Sequence, residues 1–254
     1  MLAIERRNEI LEKLQAEKRV VVSELSHAYR VSEETIRRDL DKLEQDGLAI
    51  KSYGGAVINE NANLELPFNI RKNRNVAEKQ IIADLIEKVV HEGDSIMLDA
   101  SSTAVFAAKA LKSKQDLTVI TNSVEILIEL FDKTSWSVLS TGGLSREGSF
   151  ALVGPQTDKM LNAYHVDKAI ISCKGIELGA GLTDSDELHA HNKLTMLKAA
   201  REKIVAVDST KFDQQAFTSI CKIDGVNTVI TDKKPEEKWV QIFQEKGIEC
   251  IFPE

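Results

Sequence analysis

Proline is scarce in this chain, four among 254 residues, and aromatic side chains make up only 5% of it. So little proline excludes a proline-rich spacer or a collagen-like repeat. The three cysteines, Cys173, Cys221 and Cys250, are odd in number and far apart. That excludes a disulfide-stapled scaffold and a cysteine-built zinc site, and it reads as reduced thiols filling a core. No apolar run approaches the roughly 20 residues that span a bilayer, and the opening MLAIERRNEILEKLQ is a charged amphipathic stretch unlike a secretory signal. A cytoplasmic protein without membrane contact is the expectation. Excess positive charge is missing too: the net charge of −7 excludes a chain that coats nucleic acid non-specifically, because such proteins neutralise many phosphates with Lys and Arg. A GxSxG elbow is absent, as is any nucleophile–base pair at motif spacing.

What remains is a chain 43% hydrophobic and 29% charged, the balance of a globular protein. Its length suits two domains of about 100–200 residues or fewer each. Residues 1–58 are expected to form the first, an α+β winged helix-turn-helix. In residues 4–17 Ile10, Leu11 and Leu14 recur at helical spacing. Val20, Val21 and Val22 form a β-branched run. Ser23 can cap a second helix carrying Leu25, Ala28 and Tyr29, and Ser32 a third with Glu33 and Glu34 in its first turn. The tight connection at residues 30–32 predicts a helix-turn-helix. In the third helix Ile36, Leu40 and Leu43 make the buried stripe, and Arg37, Arg38 and Lys42 lie off it. Gly47 ends this helix, and residues 48–50 and 56–58 pair around a turn made of Lys51, Ser52, Tyr53, Gly54 and Gly55. Ser32, Thr35, Arg37 and Arg38 on such a helix can reach base edges and phosphates of duplex DNA, with the wing on the neighbouring backbone. Yet residues 1–58 hold ten basic side chains against eleven acidic ones, so placement must carry the hypothesis; a solvated face or a protein contact remains open.

Residues 59–75 contain Pro67 and many Asn and charged residues, and read as a linker that begins to dock near Phe68; residues 76–254 read as the second domain. Residues 76–91 form an amphipathic helix through Ile81, Ile82, Leu85, Ile86 and Val89. Beyond it, short apolar runs at 95–98, 117–120, 137–139, 168–171, 204–207, 226–230 and 248–252 alternate with helical stretches. That pattern predicts an α/β domain with a mostly parallel sheet. The runs end in similar chemistry: Asp99, Ser101, Ser102 and Thr103 after one, Thr121, Asn122 and Ser123 after the next, then Thr141, Gly142 and Gly143, then Cys173, Lys174 and Gly175, then Asp208, Ser209, Thr210 and Lys211. Ligands of open α/β sheets bind at the carboxyl ends of strands, and hydroxyl or glycine residues opening a helix present N–H groups to an anion. One such cluster alone is an ordinary helix cap; recurrence points to a shared site for a small phosphate or carboxylate compound. Lys174, Lys193 and Lys211 can supply positive charge, and Asp99, Asp184, Asp186 and Asp208 can accept hydrogen bonds from sugar hydroxyls. His189 and His191 lack a partner motif that would complete a metal site, so neither metal nor cofactor is expected.

Taken together, Arg6-Arg7 ahead of Ile10-Leu11, VSEETIRRDLDKLEQDG at 31–47, YGGAV at 53–57, PFNIR at 67–71, Asn75, Glu78-Lys79 and Ile82-Ala83 resemble the DeoR family of bacterial transcription regulators. The resemblance runs nearly the whole chain. It implies DNA contacts from Arg6, Arg7, Ser32, Thr35, Arg37, Arg38, Lys42, Lys51, Tyr53, Gly54 and Gly55. It further implies a sensor domain similar in fold to ribose-5-phosphate isomerases and CoA transferases, a sugar-phosphate effector, an oligomeric protein and, for most members, repression. Effector roles carry over onto Asp99, Ser101, Ser102 and Thr103, onto Thr121 and Asn122, onto Gly142 and Gly143, and onto Asp184, Lys193, Asp208 and Lys211. Two departures fall in that pocket: Ser101-Ser102-Thr103 stands where the family usually has Gly-Thr-Thr, and His189 and His191 stand where acidic residues are common. Lys174 has no counterpart in the family pattern. The alternative on the residues alone is a phosphosugar isomerase-like enzyme with an accessory DNA- or protein-binding module.

Overall fold

The computed structural model describes residues 2–45, 47–59, 66–146 and 148–253, and the chain divides into two compact units, Met1–Leu66 and Pro67–Glu254. The first unit begins with α1 (Ala3–Glu17), β1 (Arg19–Val21), α2 (Val22–Tyr29) and α3 (Glu33–Gln45), followed by β2 (Ala49–Ser52) and β3 (Gly55–Ile58). The strands form an antiparallel sheet in the order β1-β3-β2. Ile10, Leu11, Leu14, Leu25, Ile36 and Leu40 converge in its core. Arg30 turns α2 into α3 with a left-handed φ of 54°, and the Ser26 hydroxyl donates to Val31 O at 2.7 Å. The Ser32 hydroxyl accepts from the Thr35 N–H at 3.2 Å, which caps α3 as its sequence position requires. Ser23, in contrast, is not a cap. The cap position of α2 is Val21, because the backbone enters the helix directly from β1.

The wing is longer and its turn tighter than the sequence suggests. Ser52 pairs with Gly55, which leaves Tyr53 and Gly54 alone at the tip. Gly55 lies inside β3 and is buried, and any Cβ there would overlap the Val20 carbonyl of the neighbouring strand. Its expected DNA role gives way to a packing one: only glycine lets the two strands approach so closely.

The second unit opens on α4 (Phe68–Asn73) and α5 (Val76–Val89). Phe68 is fully buried, its N–H donates to Gly148 O at 2.8 Å, and its ring meets Phe150 edge-on at 5.6 Å. Residues 67–75 therefore belong to this folded unit rather than to a linker; residues 60–65 lie outside the described residues. Then follow β4 (Ser95–Leu98), α6 (Ser102–Ala110), β5 (Thr118–Thr121), α7 (Val124–Leu130), β6 (Ser137–Ser140), β7 (Leu144–Arg146), β8 (Ala151–Val153), α8 (Pro155–Asn162) and β9 (Val166–Ile171). The chain closes with β10 (Gly175–Glu177), β11 (Gly181–Asp184), α9 (Glu187–Ala199), β12 (Ala200–Ala206), β13 (Thr218–Cys221), β14 (Thr228–Ile230), α10 (Glu237–Lys246) and β15 (Glu249–Ile251).

Each of the seven apolar runs supplies one strand of a parallel sheet ordered β15-β14-β12-β9-β4-β5-β6. Successive residues of a strand face opposite sides, and two cores result. Met97, Ala169, Ile171, Val205 and Val229 pack with Met196, Trp239 and Phe243 on one side. Ile96, Leu98, Ile170, Ile204 and Ile230 pack with α5, α6 and α7 on the other. Cys173 is buried in the first core, with Cys221 and Cys250 packed against it; all three are free thiols. The short hairpin β7–β8 and the antiparallel sheet β10-β11-β13 are additions that three- and four-residue strands with little alternation do not announce. From β4 the chain builds β5 and β6 to one side, then returns to place β9 on the other. The carboxyl ends of β4 and β9 thus flank the point where strand order reverses, where open α/β sheets form ligand crevices.

Arg6 illustrates what the fold does to an expected surface residue. Its guanidinium is 2.6 Å from Asp39, and both side chains are below 10% exposed. Arg6 precedes Ile10 and Leu14 by one and two turns, so it lies on the buried stripe of α1 and bolts that helix to α3. Removing one member strands a buried charge: Arg6→Ala is expected to cost roughly 3–5 kcal/mol in urea unfolding, and Arg6→Met with Asp39→Leu much less. Equal losses from the single and double variants would refute a buried pair.

Candidate functional site

Two surfaces carry chemistry, one in each unit. On the first, Ser32, Arg37, Arg38 and Lys42 are exposed along α3, and Thr35 is half-buried beside them. Arg37 bonds Glu33 at 2.5 Å and Arg38 lies 3.4 Å from Glu34. Such exposed i, i+4 pairs contribute little, so both guanidinia can leave their glutamates for phosphates or base edges at small cost. Arg7 is partly exposed and sits 3.7 Å from the buried Asp39. Lys51 reaches from β2 to Asp41 and lies 3.7 Å from Glu44, holding the wing to α3; Asp41, through hydrogen bonding and charge, raises its pKa. Tyr53 stands fully exposed at the wing tip, and Gly54 has a φ of +80° with open space around it. The groove between helix and wing is lined by Glu34, Arg37, Asp41, Lys51, Ser52 and Gly54.

The second surface is at the carboxyl ends of the sheet. Asp99 follows β4 and is 1% exposed. One of its oxygens accepts from the Ser101 hydroxyl at 2.5 Å; the other accepts from the Ser172 N–H just past β9, at 3.2 Å. Asp99 therefore spans the reversal point itself. Lys193, on α9, places its ammonium 3.4 Å from Asp99 and bonds Asp184 at the end of β11. Burial opposes the charge of Lys193, but Asp184 and Asp99 outweigh it and raise its pKa. Burial likewise opposes ionisation of Asp184, and Lys193 reverses that effect and lowers its pKa. One ammonium faces two carboxylates, so a polar, net-negative floor sits at the strand ends. Cys173 borders it, but burial pushes its thiol up to about 12, which leaves it inert as a nucleophile.

Around this floor the expected residues divide by what their polar atoms already do. Ser101 caps α6 by accepting from Ala104 N at 3.0 Å, and Ser102 and Thr103 are buried in the first turn. Thr121 donates to Leu98 O at 2.7 Å and accepts from Ser123 N at 3.0 Å, locking the end of β5 to that of β4. Asn122 donates to Leu152 O at 3.0 Å, but its carbonyl oxygen is buried without a hydrogen-bond partner. Gly142 and Gly143 both have positive φ, and Thr157 of α8 donates to Gly142 O at 2.7 Å. Asp208 accepts from the Thr210 N–H at 3.1 Å and from its hydroxyl, and Lys211 ends the same turn half-buried. Lys174 is half-buried one residue past Cys173, with its N–H on Thr183 O at 2.9 Å. Asp186 departs from its expected sugar contact: one oxygen caps α9 through Leu188 and His189, and the other meets Arg146 at 2.7 Å.

His189 is buried on α9, whereas His191 points out toward Asp158 at 3.4 Å. Among the described residues no group of His, Cys, Asp and Glu could hold a metal ion, and no helix is long and apolar enough to cross a membrane. Lys79 entered the sequence reading only as part of the family pattern, with no site role. It is buried on α5, where Ile82, Ala83 and Ile86 complete its stripe, and a lysine on an apolar stripe was the available signal. Its ammonium donates to Arg71 O and Arg74 O. Burial, with Lys211, Arg71 and Arg74 adding to it against Asp208, lowers its pKa to about 8.

A winged helix with an exposed basic helix face, followed by an α/β unit with a buried polar cluster at its strand ends, defines a two-part regulator architecture. Comparison with known proteins places it. A family model described as the DeoR-like helix-turn-helix domain matches residues 6–62, and one described as the DeoR C terminal sensor domain matches residues 74–233. The chain belongs to the DeoR family of transcription regulators. It is 40% identical over 98% of its length, and 96% of the other's, to the uncharacterized HTH-type transcriptional regulator YulB of Bacillus subtilis (strain 168). It is 26% identical, over 98% of both chains, to the glycerol-3-phosphate regulon repressor of Escherichia coli (strain K12). Ribose 5-phosphate isomerase A of Methanocaldococcus jannaschii is similar over 54% of this chain and 55% of that one, at 19% identity and a TM-score of 0.41.

The ion triad has a measurable sign. Asp184, with its lowered pKa, contributes stability that is present above the ordinary carboxylate range near pH 4 and is lost as pH falls through its folded value. In Lys193→Met the buried carboxylates lose their counter-charge. Urea unfolding at pH 7 is expected to show a loss of roughly 3–5 kcal/mol, and the variant should gain stability between pH 7 and 5 as Asp184 takes up a proton. A loss independent of pH would mean that packing, not charge, is what Lys193 supplies.

Proposed function

We propose that this chain is a cytoplasmic, homo-oligomeric repressor of a carbohydrate-utilisation operon that binds double-stranded operator DNA through its first unit and a phosphorylated sugar at the strand ends of its second. The observation that carries the effector reading is the crevice floor: Asp99, Lys193 and Asp184 meet at the strand-order reversal, and the buried carbonyl of Asn122 stands beside it without a donor. Buried polar atoms are normally satisfied, and a sugar hydroxyl supplies the missing N–H or O–H equivalent. Anion contacts come from the N–H groups opening α6, from Ser101, Ser102 and Thr103, and from Lys211, with Gly142, Gly143, Lys174 and Asp208 at the rim. The name of the E. coli relative, a glycerol-3-phosphate regulon repressor, points to the same ligand chemistry.

Turnover is not part of this reading. A general base works best with a pKa near the operating pH; the lowered pKa of Asp184 and the raised one of Lys193 move both groups away from it. On the DNA side Thr35, Arg37, Arg38 and Lys42 read the groove, while Arg7, Lys51 and the Tyr53–Gly54 tip meet the backbone. An acidic chain achieves this locally, with an affinity that falls steeply with salt.

Two measurements test the two halves. For the effector, ribose 5-phosphate, glucose 6-phosphate, fructose 6-phosphate and inorganic phosphate are compared by thermal shift, since a ligand that binds only the folded state raises its melting temperature. At least one sugar phosphate is expected to raise it and to be recovered unchanged; isomerised sugar at enzyme-like rates would overturn the regulator reading. For DNA, a duplex selected by the protein from a random pool is titrated against Arg37→Ala/Arg38→Ala. Affinity should fall about tenfold or more, with a salt slope shallower by up to about 2, and the sugar-phosphate shift should persist. Unchanged affinity would remove these arginines from the interface.

A further inference from the structure

Lys79 is 4% exposed, yet it carries three N–H donors that must be satisfied inside the protein. Two go to Arg71 O and Arg74 O, at the carboxyl end of α4, where a helix presents unsatisfied carbonyls and a partial negative charge. α4 is the first helix after the connection from the DNA-binding unit. Lys79 belongs to α5, and its ammonium lies 5.9 Å from the centre of the Phe106 ring of α6, the helix that Ser101 caps. Charges of the strand-end residues also reach it: Asp208 favours its protonation and Lys211 opposes it, as do Arg71 and Arg74 beside the carbonyls it bonds. Asp208 and Lys211 are residues of the proposed effector crevice. A single buried cation thus touches the end of the entering helix and feels the charge of the crevice.

We infer that Lys79 is a positioning residue through which the crevice controls α4: its ammonium holds the last carbonyls of α4 when the crevice is empty, and an anion bound beside Lys211 and Asp208 competes for it. The inference rests on the effector reading above. The anion draws the ammonium away from Arg71 O and Arg74 O, and the end of α4 loosens. A two-state element biased by the ligand is what an effector-responsive regulator needs, because a ligand that interacts equally with both states shifts nothing. The buried aromatic and aliphatic contacts of Phe68 and Ile70 keep the first turn of α4 in place, so the change is confined to its last turn.

The test uses the full chain and the same four probes. Binding is read by thermal shift, and the looseness of α4 by hydrogen exchange of a peptide spanning residues 68–75. In the unmutated protein a bound probe should accelerate this exchange by about fivefold or more, the lower end of ordinary coupling between sites. Lys79→Met should still bind the probe, with α4 already exchanging fast and no further response. Lys79→Arg, which keeps charge and donors, should retain the response. A merely structural lysine would change α4 equally with and without probe. A probe that binds the unmutated chain and leaves α4 unchanged overturns this inference alone, as does an undiminished response in Lys79→Met. If Lys79→Met does not fold, the unmutated chain and Lys79→Arg decide by the same criterion. If none of the probes binds, the effector reading falls and this inference falls with it.

Discussion

The second unit is organised by one buried ammonium. Lys193 joins α9 to the ends of β4 and β11 through Asp99 and Asp184, and Asp99 in turn holds β9 through the Ser172 N–H. Both faces of the parallel sheet are covered mainly by apolar side chains, and most of the buried polar groups collect near the ends of the strands. There the backbone leaves N–H groups unpaired, and carboxylates and hydroxyls cap them. The same residues that end the strands therefore build the crevice, and Thr121 and Asp186 show how fully some of them are engaged in that structural work.

The DNA-binding unit uses the same device on a smaller scale. Arg6 and Asp39 form a buried pair between α1 and α3, and Lys51 ties the wing to α3 from outside through Asp41. The exposed face of α3 is held in fixed relation to the wing tip by these contacts, while Arg37 and Arg38 make only weak exposed pairs with Glu33 and Glu34. Strong fixed charges position the helix, and weakly held ones remain free to exchange partners. That division explains how a chain of net charge −7 can present exposed arginines along one helix face without being basic.

Much of this was legible from spacing. Ile36, Leu40 and Leu43 marked the buried stripe of α3 and left Arg37, Arg38 and Lys42 outside it. The seven apolar runs each became a strand of the main sheet. Less legible were the residues that break the hydrophobic pattern on purpose. Arg6 and Lys79 both stand on apolar stripes; read by type they look like surface residues, and read by position they are core. Position prevails because a buried cation is tolerable wherever a carboxylate or helix carbonyls meet it, and those partners are 33, 5 and 8 residues away in sequence.

By itself the sequence determined the order of elements, the faces they bury and the family they belong to, because local periodicity and motif spacing are properties of neighbouring residues. Only the tertiary structure decided that Asp99 and Ser172 face one another across the point where strand order reverses, that residues 67–75 fold with the sensor unit, and that Gly55 is pinned against Val20 rather than free at the wing tip. Those facts depend on which distant segments lie side by side, and close approach between them is set by packing and charge neutralisation summed over the whole fold.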